Sequence, residues 1–567
     1  MRKTITYAKC LPLFVAVAIA AGMAVGQTEI TAFDGNGQVS WDDPGGTGTH
    51  YAVQWSSSGL SNWYSWKDAD QTLSGLGATG TVSVPMFYRV VGQDPTYQAT
   101  ESYTYYDQLP PFDPLTPLSN NEMRITFMGS MIPLPVRLAQ AEMSVFVEVG
   151  WSNDVNDTFY HGRASDQFIF DCGAGCSANY AAAKVGFRRM DKVFINHLHG
   201  DHLSDLSHVY CFGPAGDRKS PLYVWGSKPS GVAAPSNDGD IYSDDGVIYD
   251  DGTSNFCANL RNAWRWHSES FSFQNTWYSN CVPPTKESWG LPHDPVPVGN
   301  DDPRDAYAIV PIELDWEVAG GQAYFNTNTG VKITHFPVIH TRRGSMGYKL
   351  EWQTPDGTNL TMIYTSDTKP ETNCIEQAKN GGRGVDVFIH EMVVPPEVWA
   401  YKNMGLDGPI EEGEDGYSNF VATVQGLTTV QNSSHTPQGA FGYILGQLIA
   451  NDVQPRLTVA THFPVDDDTV ASALASVKAH CPDVEMGKDL IWSFDLLVLR
   501  VFPDRIEQCR ADVSRYCFNP PVQDPAGMMP PKYNDGHGNG NPYAQIDTNA
   551  AIPAVEGGVT NYRVDGY

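Results

Sequence analysis

Basic side chains are scarce in this 567-residue chain, with 36 lysines and arginines against 65 aspartates and glutamates and a formal net charge of −29. Such a surface repels phosphate backbones, whose binding normally relies on clustered Lys and Arg, so nucleic acid is a disfavoured partner. No internal repeat is present. Cysteine is sparse: Cys172 and Cys176 in "DCGAGC" have no second pair at zinc spacing, which argues against a cysteine-ligated zinc site. Long apolar runs are missing beyond the first thirty residues, so the body of the chain is expected not to span a membrane. With 41% hydrophobic and 18% charged residues the class is soluble globular, and the length exceeds one ordinary domain.

One apolar run does stand at the start. Arg2, Lys3 and Lys9 precede "LPLFVAVAIAAGMAV", and "AVG" at 24–26 is a small-x-small cleavage signal. Residues 1–26 therefore read as a secretory signal, and the mature protein as exported, to a periplasmic or extracellular location. An oxidising compartment permits disulfides, with Cys257–Cys281 and Cys509–Cys517 as candidate local bridges. Pairing cannot be deduced from sequence, and Cys10 leaves with the signal, so the remaining odd number keeps one thiol free.

Residues 27–93 alternate aromatic and β-branched positions between turns ("QVSWDD", "YAVQW", "FYRVVG") and read as a small all-β sandwich. Residues 94–121, rich in Pro, Tyr and Asp, read as a linker. From 122 to 502 the texture is α/β. Strands such as "MRITFMGS", "MSVFVEV", "DQFIFDCG" and "KVFINHLHGDH" alternate with helical stretches at 374–381, 437–452 and 468–480. An Asn, Asp, Ser, Gly and Trp-rich insertion occupies 226–306. Its stretch "NDGDIYSDDGVIYDDGTSN" lacks the ligand spacing of a known calcium loop and reads as a solvated acidic loop. Residues 503–567 turn Pro/Gly/Asn-rich and read as an irregular tail.

The chemistry concentrates in "INHLHGDHLSDL", residues 195–206. Histidine is only 15 of 567 residues, so three within six positions is not a chance density. "KVFI" is a buried-strand run, which places His197, His199, Asp201 and His202 just past a strand end, where α/β sheets build sites. In extended backbone, residues two apart point the same way, so His197 and His199 can share one cation. Gly200 is expected to turn the chain sharply and re-aim Asp201 and His202 at a second. His340, Asp367 and His462 each follow an apolar run in turn, so three more strands end in a ligand-type residue.

These motifs, H-x-H-x-D-H followed by His, Asp and His, resemble the metallo-β-lactamase-fold hydrolases over residues 122–502. The likeness is to the branch containing ribonuclease Z and the zinc arylsulfatases. It implies a four-layer αββα sandwich, with the small all-β sandwich before it resembling a fibronectin-III module. It also implies two divalent metal ions, zinc or else manganese or iron. His197, His199 and His340 would hold one, Asp201, His202 and His462 the other, and Asp367 would bridge them. His335 is the rival third ligand, but "GY" at 347–348 follows His340 as in the family. The family turn begins with Gly where Ser366 stands here, which bears on turn strain more than on ligation. Asp171 in "FIFDCGAG" matches a structural aspartate.

"VFIHEM" and "SSHTPQGAFGYIL" resemble the His-Glu turn and the His-bearing helix start of the ribonuclease Z-like branch. By that analogy Glu391 orients His435, and His435 protonates the leaving oxygen; the alternatives are that Glu391 buttresses a ligand and His435 caps a helix. The implied reaction is hydrolysis by a hydroxide bridging the two metals, with Asp201 accepting a hydrogen bond from it. Arg342, Arg343 and Lys369 could hold an anionic substrate group or be exposed loop charges. Trp264, Trp266 and His267 could form a lid or simply pack.

The substrate expected is a small-molecule ester, a sulfate ester or phosphodiester, and the acidic composition and export both oppose transfer RNA. So does the spacing of His340 and Asp367, which leaves room for one hairpin where true ribonuclease Z inserts its RNA-gripping arm. "IHEMVVPPEVWAYK" further resembles an exported subgroup associated with guanitoxin biosynthesis. A lactonase or β-lactamase activity, a ribonuclease Z-like nuclease and a non-catalytic surface-binding protein remain the alternatives. A homodimer is the oligomeric expectation.

Overall fold

The computed structural model describes residues 109–513, apart from 134–138, 151–163, 234–247, 272–281, 407 and 466, together with six strands between residues 30 and 93. The chain forms two compact units, Met1–Gln108 and Leu109–Tyr567. In the first, Ile30–Phe33, Gln38–Trp41 and Ala78–Thr81 make one antiparallel sheet, and Tyr64–Asp68, His50–Ser56 and Phe87–Gln93 make another. The signal segment 1–26 and most of the 503–567 tail lie outside the described residues, as do Cys281 and Cys517 of the two expected bridges.

The second unit is built on two mixed sheets. Spatially the first runs Ile309–Leu314, Leu222–Ser227, Lys192–Phe194, Asp166–Phe170, Ser144–Val149, Met123–Gly129, Leu497–Val501, Ile506–Ala511 and Pro111–Phe112. The second runs Gly321–Asn326, Val331–Pro337, Met346–Gln353, Asn359–Tyr364, Val387–Glu391, Leu457–Thr461 and Leu490–Trp492. Two expected boundaries shift. Ile506–Ala511 and Pro111–Phe112 pair in parallel at the edge of the first sheet, so ordered structure extends past 502 and reaches back into the expected linker. The expected 226–306 insertion carries ordered structure as well. It contains Thr253–Ala263, the helix that connects two parallel neighbours, Leu222–Ser227 and Ile309–Leu314.

Period-two alternation decides which residues meet across the sheets. Phe168, Phe170 and Phe194 face inward, and Ile169 and Val193 face out onto helices. Three tyrosines of the second sheet reach across to the first. Tyr324 donates to Asp166 Oδ2, Tyr348 to the Ile195 carbonyl and Tyr364 to Asp171 Oδ2, each at 2.8 Å. Each hydroxyl is thus buried with a partner, as an aromatic layer requires. Helices Cys176–Ala182, Leu206–Phe212 and Thr253–Ala263 cover the outer face of the first sheet. On the outer face of the second, Phe441 of helix Gln438–Ala450 packs on His390, and that helix in turn packs against Asp467–Lys478. The order is the expected αββα, the layering that the resemblance to metallo-β-lactamase-fold hydrolases implies.

At one sheet edge the buried Glu122 takes Arg124 at 2.9 Å and Arg500 at 2.9 and 3.1 Å. Burial alone would raise its carboxyl, but the Arg500 hydrogen bonds and the Arg124 charge outweigh that and hold it below the ordinary value. Among the described residues seven cysteines are buried free thiols, and no helix is long and apolar enough to cross a membrane.

Candidate metal centre and active site

The site lies at one end of the seam between the sheets. The first sheet supplies the 197–202 loop after Lys192–Phe194, and the second supplies the ends of four strands. His340 follows Val331–Pro337, Asp367 follows Asn359–Tyr364, Glu391 ends its strand, and His462 follows Leu457–Thr461. In the second sheet these strands run in the same sense, so residues distant in sequence arrive at one edge.

All seven expected ligands come together, in two sets. His197, His199 and His340 each offer a ring nitrogen within 4.8 Å of the others. Asp201, His202, Asp367 and His462 form the second set within the same span. His340 belongs to the cluster and His335 does not: His335 sits mid-strand, opposite Tyr348 and Gly321. The re-aiming after His199 has a different cause from the one expected. Gly200 keeps ordinary helical backbone and opens the short helix Gly200–Leu203, so the passage from strand to helix makes the turn.

Asp171 organises the second set. It is fully buried in left-handed backbone, φ +59°. Its Oδ1 accepts from the Asn196 amide, and its Oδ2 accepts from Tyr364, Ser366 and His202 Nδ1 at 2.8, 3.0 and 2.8 Å. A carboxylate on Nδ1 leaves Nε2 of His202 as the ligand atom, which is how metal-binding imidazoles are usually held. That Nε2 lies 3.1 Å from Asp201 Oδ2 and 3.4 Å from Asp367 Oδ1. His462 Nε2 lies 3.2 and 3.4 Å from the same two oxygens. The other oxygen of Asp367, Oδ2, is 3.8 Å from His340 Nε2. Asp367 thus divides its oxygens between the two sets. Ser366 before it takes φ +54°, the strain expected where the family places glycine.

In the first set the protonation states suit a cation. Burial, reinforced by neighbouring imidazoles, pushes His197 and His199 below the ordinary histidine range and His340 down to about 4. Three neutral imidazoles facing one another are a ligand set rather than a salt-bridge network. His197 is buried with neither ring nitrogen hydrogen-bonded, and a bond to a metal would satisfy one of them. In the second set burial opposes ionisation of Asp201 and Asp367. The histidines around them outweigh it and hold both carboxyls below their usual range. The residues fit two divalent cations.

Glu391 and His435 also meet. Glu391 Oε2 lies 2.8 Å from His435 Nδ1 and 3.7 Å from His462 Nδ1, while Oε1 accepts the Thr368 amide. Both expected roles of Glu391 are therefore available at once. Burial raises its carboxyl. Burial opposes the charge on His435, but the Glu391 charge and hydrogen bond prevail and raise it to about 9. His435 does not cap the helix that follows it, whose N-cap is Pro437, and stands instead as C-cap of the preceding helix, Tyr417–Ser434.

That helix escapes sequence reading, being rich in Thr, Val and Ser, yet its last carbonyl, Ser434, accepts His340 Nδ1 at 2.8 Å. Tyr364 and Thr436 are also unforeseen supports; Thr436 donates to the Thr368 carbonyl at 2.7 Å. No short-range signal marks any of the three.

Of the expected anion-binding residues, Arg342 and Arg343 line a cleft beside His197 and His199, and Lys369 does not. The lid expectation is not met by His267, whose Nε2 lies 2.9 Å from the Cys211 carbonyl and whose ring packs on Phe212. Trp266 is 81% exposed.

No protein-family profile matches the chain. It is 31% identical over 107 residues to ribonuclease Z of Treponema denticola, covering 19% of this chain and 29% of that protein. It is 36% identical over 112 residues to ribonuclease BN of Proteus mirabilis, covering 20% and 32%. The chain thus spans about a third of the length of the curated relatives it matches. Against the crystal structure of human tRNase Z, short form, identity is 16% and the TM-score 0.32, covering 66% of this chain and 98% of that one.

Proposed function

We propose that the chain is an exported, binuclear-metal hydrolase of small anionic esters, a sulfate ester or a phosphodiester. The observation that carries the reading is Asp367, whose two oxygens face two separate ligand sets while the His435–Glu391 pair stands beside it. Cations bound there would acidify a water and offset charge on the reacting group. His197, His199 and His340 would hold one, and Asp201, His202 and His462 the other. Asp201 accepts a hydrogen bond from the attacking water. His435, kept protonated by Glu391, delivers a proton to the leaving oxygen.

A ribonuclease reading is favoured by the names of the relatives. Two features weigh against it. His340 and Asp367 are joined by the single hairpin Met346–Gln353 and Asn359–Tyr364, and the chain is strongly acidic.

The test is elemental analysis of the full chain followed by a panel of chromogenic sulfate, phosphodiester and lactone substrates and a structured RNA, with Asp367→Ala as control. Less than one equivalent of transition metal after reconstitution defeats the binuclear reading. Cleavage of the RNA alone replaces the small-ester reading with the nuclease, and of the lactone alone with a lactonase. Metal binding without turnover of any substrate leaves a binding protein.

A further inference from the structure

The cleft beside the first ligand set has a volume of about 120 Å3, with His197 and His199 on one wall and Ser230, Arg342 and Arg343 among its other lining residues. A site for a whole drug-sized ligand needs roughly 300 Å3 or more, so this one takes a single group. Its two guanidiniums are not equivalent. Arg342 is committed: Nε and Nη2 both lie 2.7 Å from Asp251 Oδ2. Asp251 is held in turn by the Ser230 amide at 2.7 Å and hydroxyl at 2.6 Å. Burial would raise that carboxyl, but the Ser230 and Arg342 bonds outweigh it and keep Asp251 ionised. The one carboxylate lining the cleft is therefore already neutralised. Arg343 has no hydrogen-bond or ion-pair partner among the described residues and lines the same cleft. Gly344, at φ +107°, turns the chain immediately after it and lays the loop against Ser227.

We propose that this cleft is an anion subsite in which Arg343 grips a second acidic group of the substrate, separate from the ester that is cut. The proposal rests on the hydrolase reading above and narrows its substrate class to small esters carrying an additional carboxylate or phosphate. A planar guanidinium presents parallel donors matched to an oxyanion, which a lysine ammonium does not. The Arg342–Asp251–Ser230 chain is the strut that holds the loop in place and keeps Asp251 from competing for Arg343.

The experiment compares 4-nitrophenyl phenyl phosphate with counterparts whose phenyl ring carries a carboxylate or a phosphate, alongside equivalently tagged aryl sulfates. The proteins are wild type, Arg343→Ala and Arg343→Lys, each metal-reconstituted. Wild type is expected to prefer a tagged ester. The tagged-to-untagged ratio of kcat/KM should fall about tenfold or more in Arg343→Ala, chiefly through KM, and by less in Arg343→Lys. The better tag identifies the source of the anion. Turnover of all esters with a ratio that Arg343→Ala leaves unmoved overturns the subsite alone. Turnover of none by wild type overturns the hydrolase reading itself, and the subsite with it.

Discussion

His435 Nδ1 and Glu391 Oε2 stand 2.8 Å apart, and the same carboxylate reaches toward His462. If the pair serves proton delivery, Glu391→Gln should slow the reaction in proportion to how badly the leaving group needs a proton. We expect kcat to drop about a hundredfold for an alkyl ester and far less for a 4-nitrophenyl ester. A uniform loss across leaving groups would mean that Glu391 only braces His462.

Loss of metal should be visible without any substrate. Ligands from both sheets mean that bound cations stabilise the folded state alone, so exhaustive chelation should lower Tm by several degrees, reversibly on adding back the metal. Asp367→Ala should retain fewer than two equivalents by elemental analysis.

Ser366 carries two opposing effects. Its φ of +54° costs about 1–2 kcal/mol relative to glycine. Its hydroxyl bonds the buried Asp171 carboxylate, a contact worth about 1.5–3 kcal/mol. Ser366→Ala loses the bond and keeps the strain, whereas Ser366→Gly loses the bond and relieves it. Urea unfolding should rank stability as wild type, then Gly, then Ala.

Two glycines near the metal loop should behave oppositely. A Cβ on Gly200 would meet nothing nearer than Ser204 Oγ at 3.7 Å, so Gly200→Ala should fold and hold metal normally. A Cβ on Gly173 would overlap the Asp201 carbonyl oxygen, so Gly173→Ala should lose metal or fail to fold. Expression yield, circular dichroism and metal content distinguish these outcomes.

Glu122 sets an acid limit on stability. Its folded carboxyl lies below the ordinary value, so its contribution is fully present above the unfolded pKa of about 4.3. The contribution is lost as pH falls through the lower folded value. Below pH 5, wild type should therefore lose stability more steeply than Glu122→Gln, measured by urea midpoints at successive pH values.

Much of the site was legible because its ligands obey a local rule: apolar strand, then His or Asp. "KVFI", "RLTVAT" and "TMIYTS" each announce a strand end, and the structure brings the residues that follow to one edge. The supports were not legible, because they obey no local rule. Ser434 orients His340 through a backbone carbonyl, which carries no side-chain signature. Tyr364 reads as one more core aromatic until its hydroxyl is seen across the seam on Asp171. The helix Tyr417–Ser434 has few strong helix formers and no clear apolar stripe, so packing rather than propensity establishes it. Arg342 and Arg343 look alike in sequence and differ only in whether Asp251 lies within reach.

The seven candidate ligands span the chain from His197 to His462, and the second set is incomplete until the strand Leu457–Thr461 has docked. A nascent or unfolded chain therefore offers scattered imidazoles and carboxylates, with no site that discriminates among ions. Affinities of such donors follow a general order set by the metal, so occupancy would depend on which ions surround the protein when the strand Leu457–Thr461 docks. The place of folding, as much as the candidate ligands themselves, would then decide which metal such a site takes up.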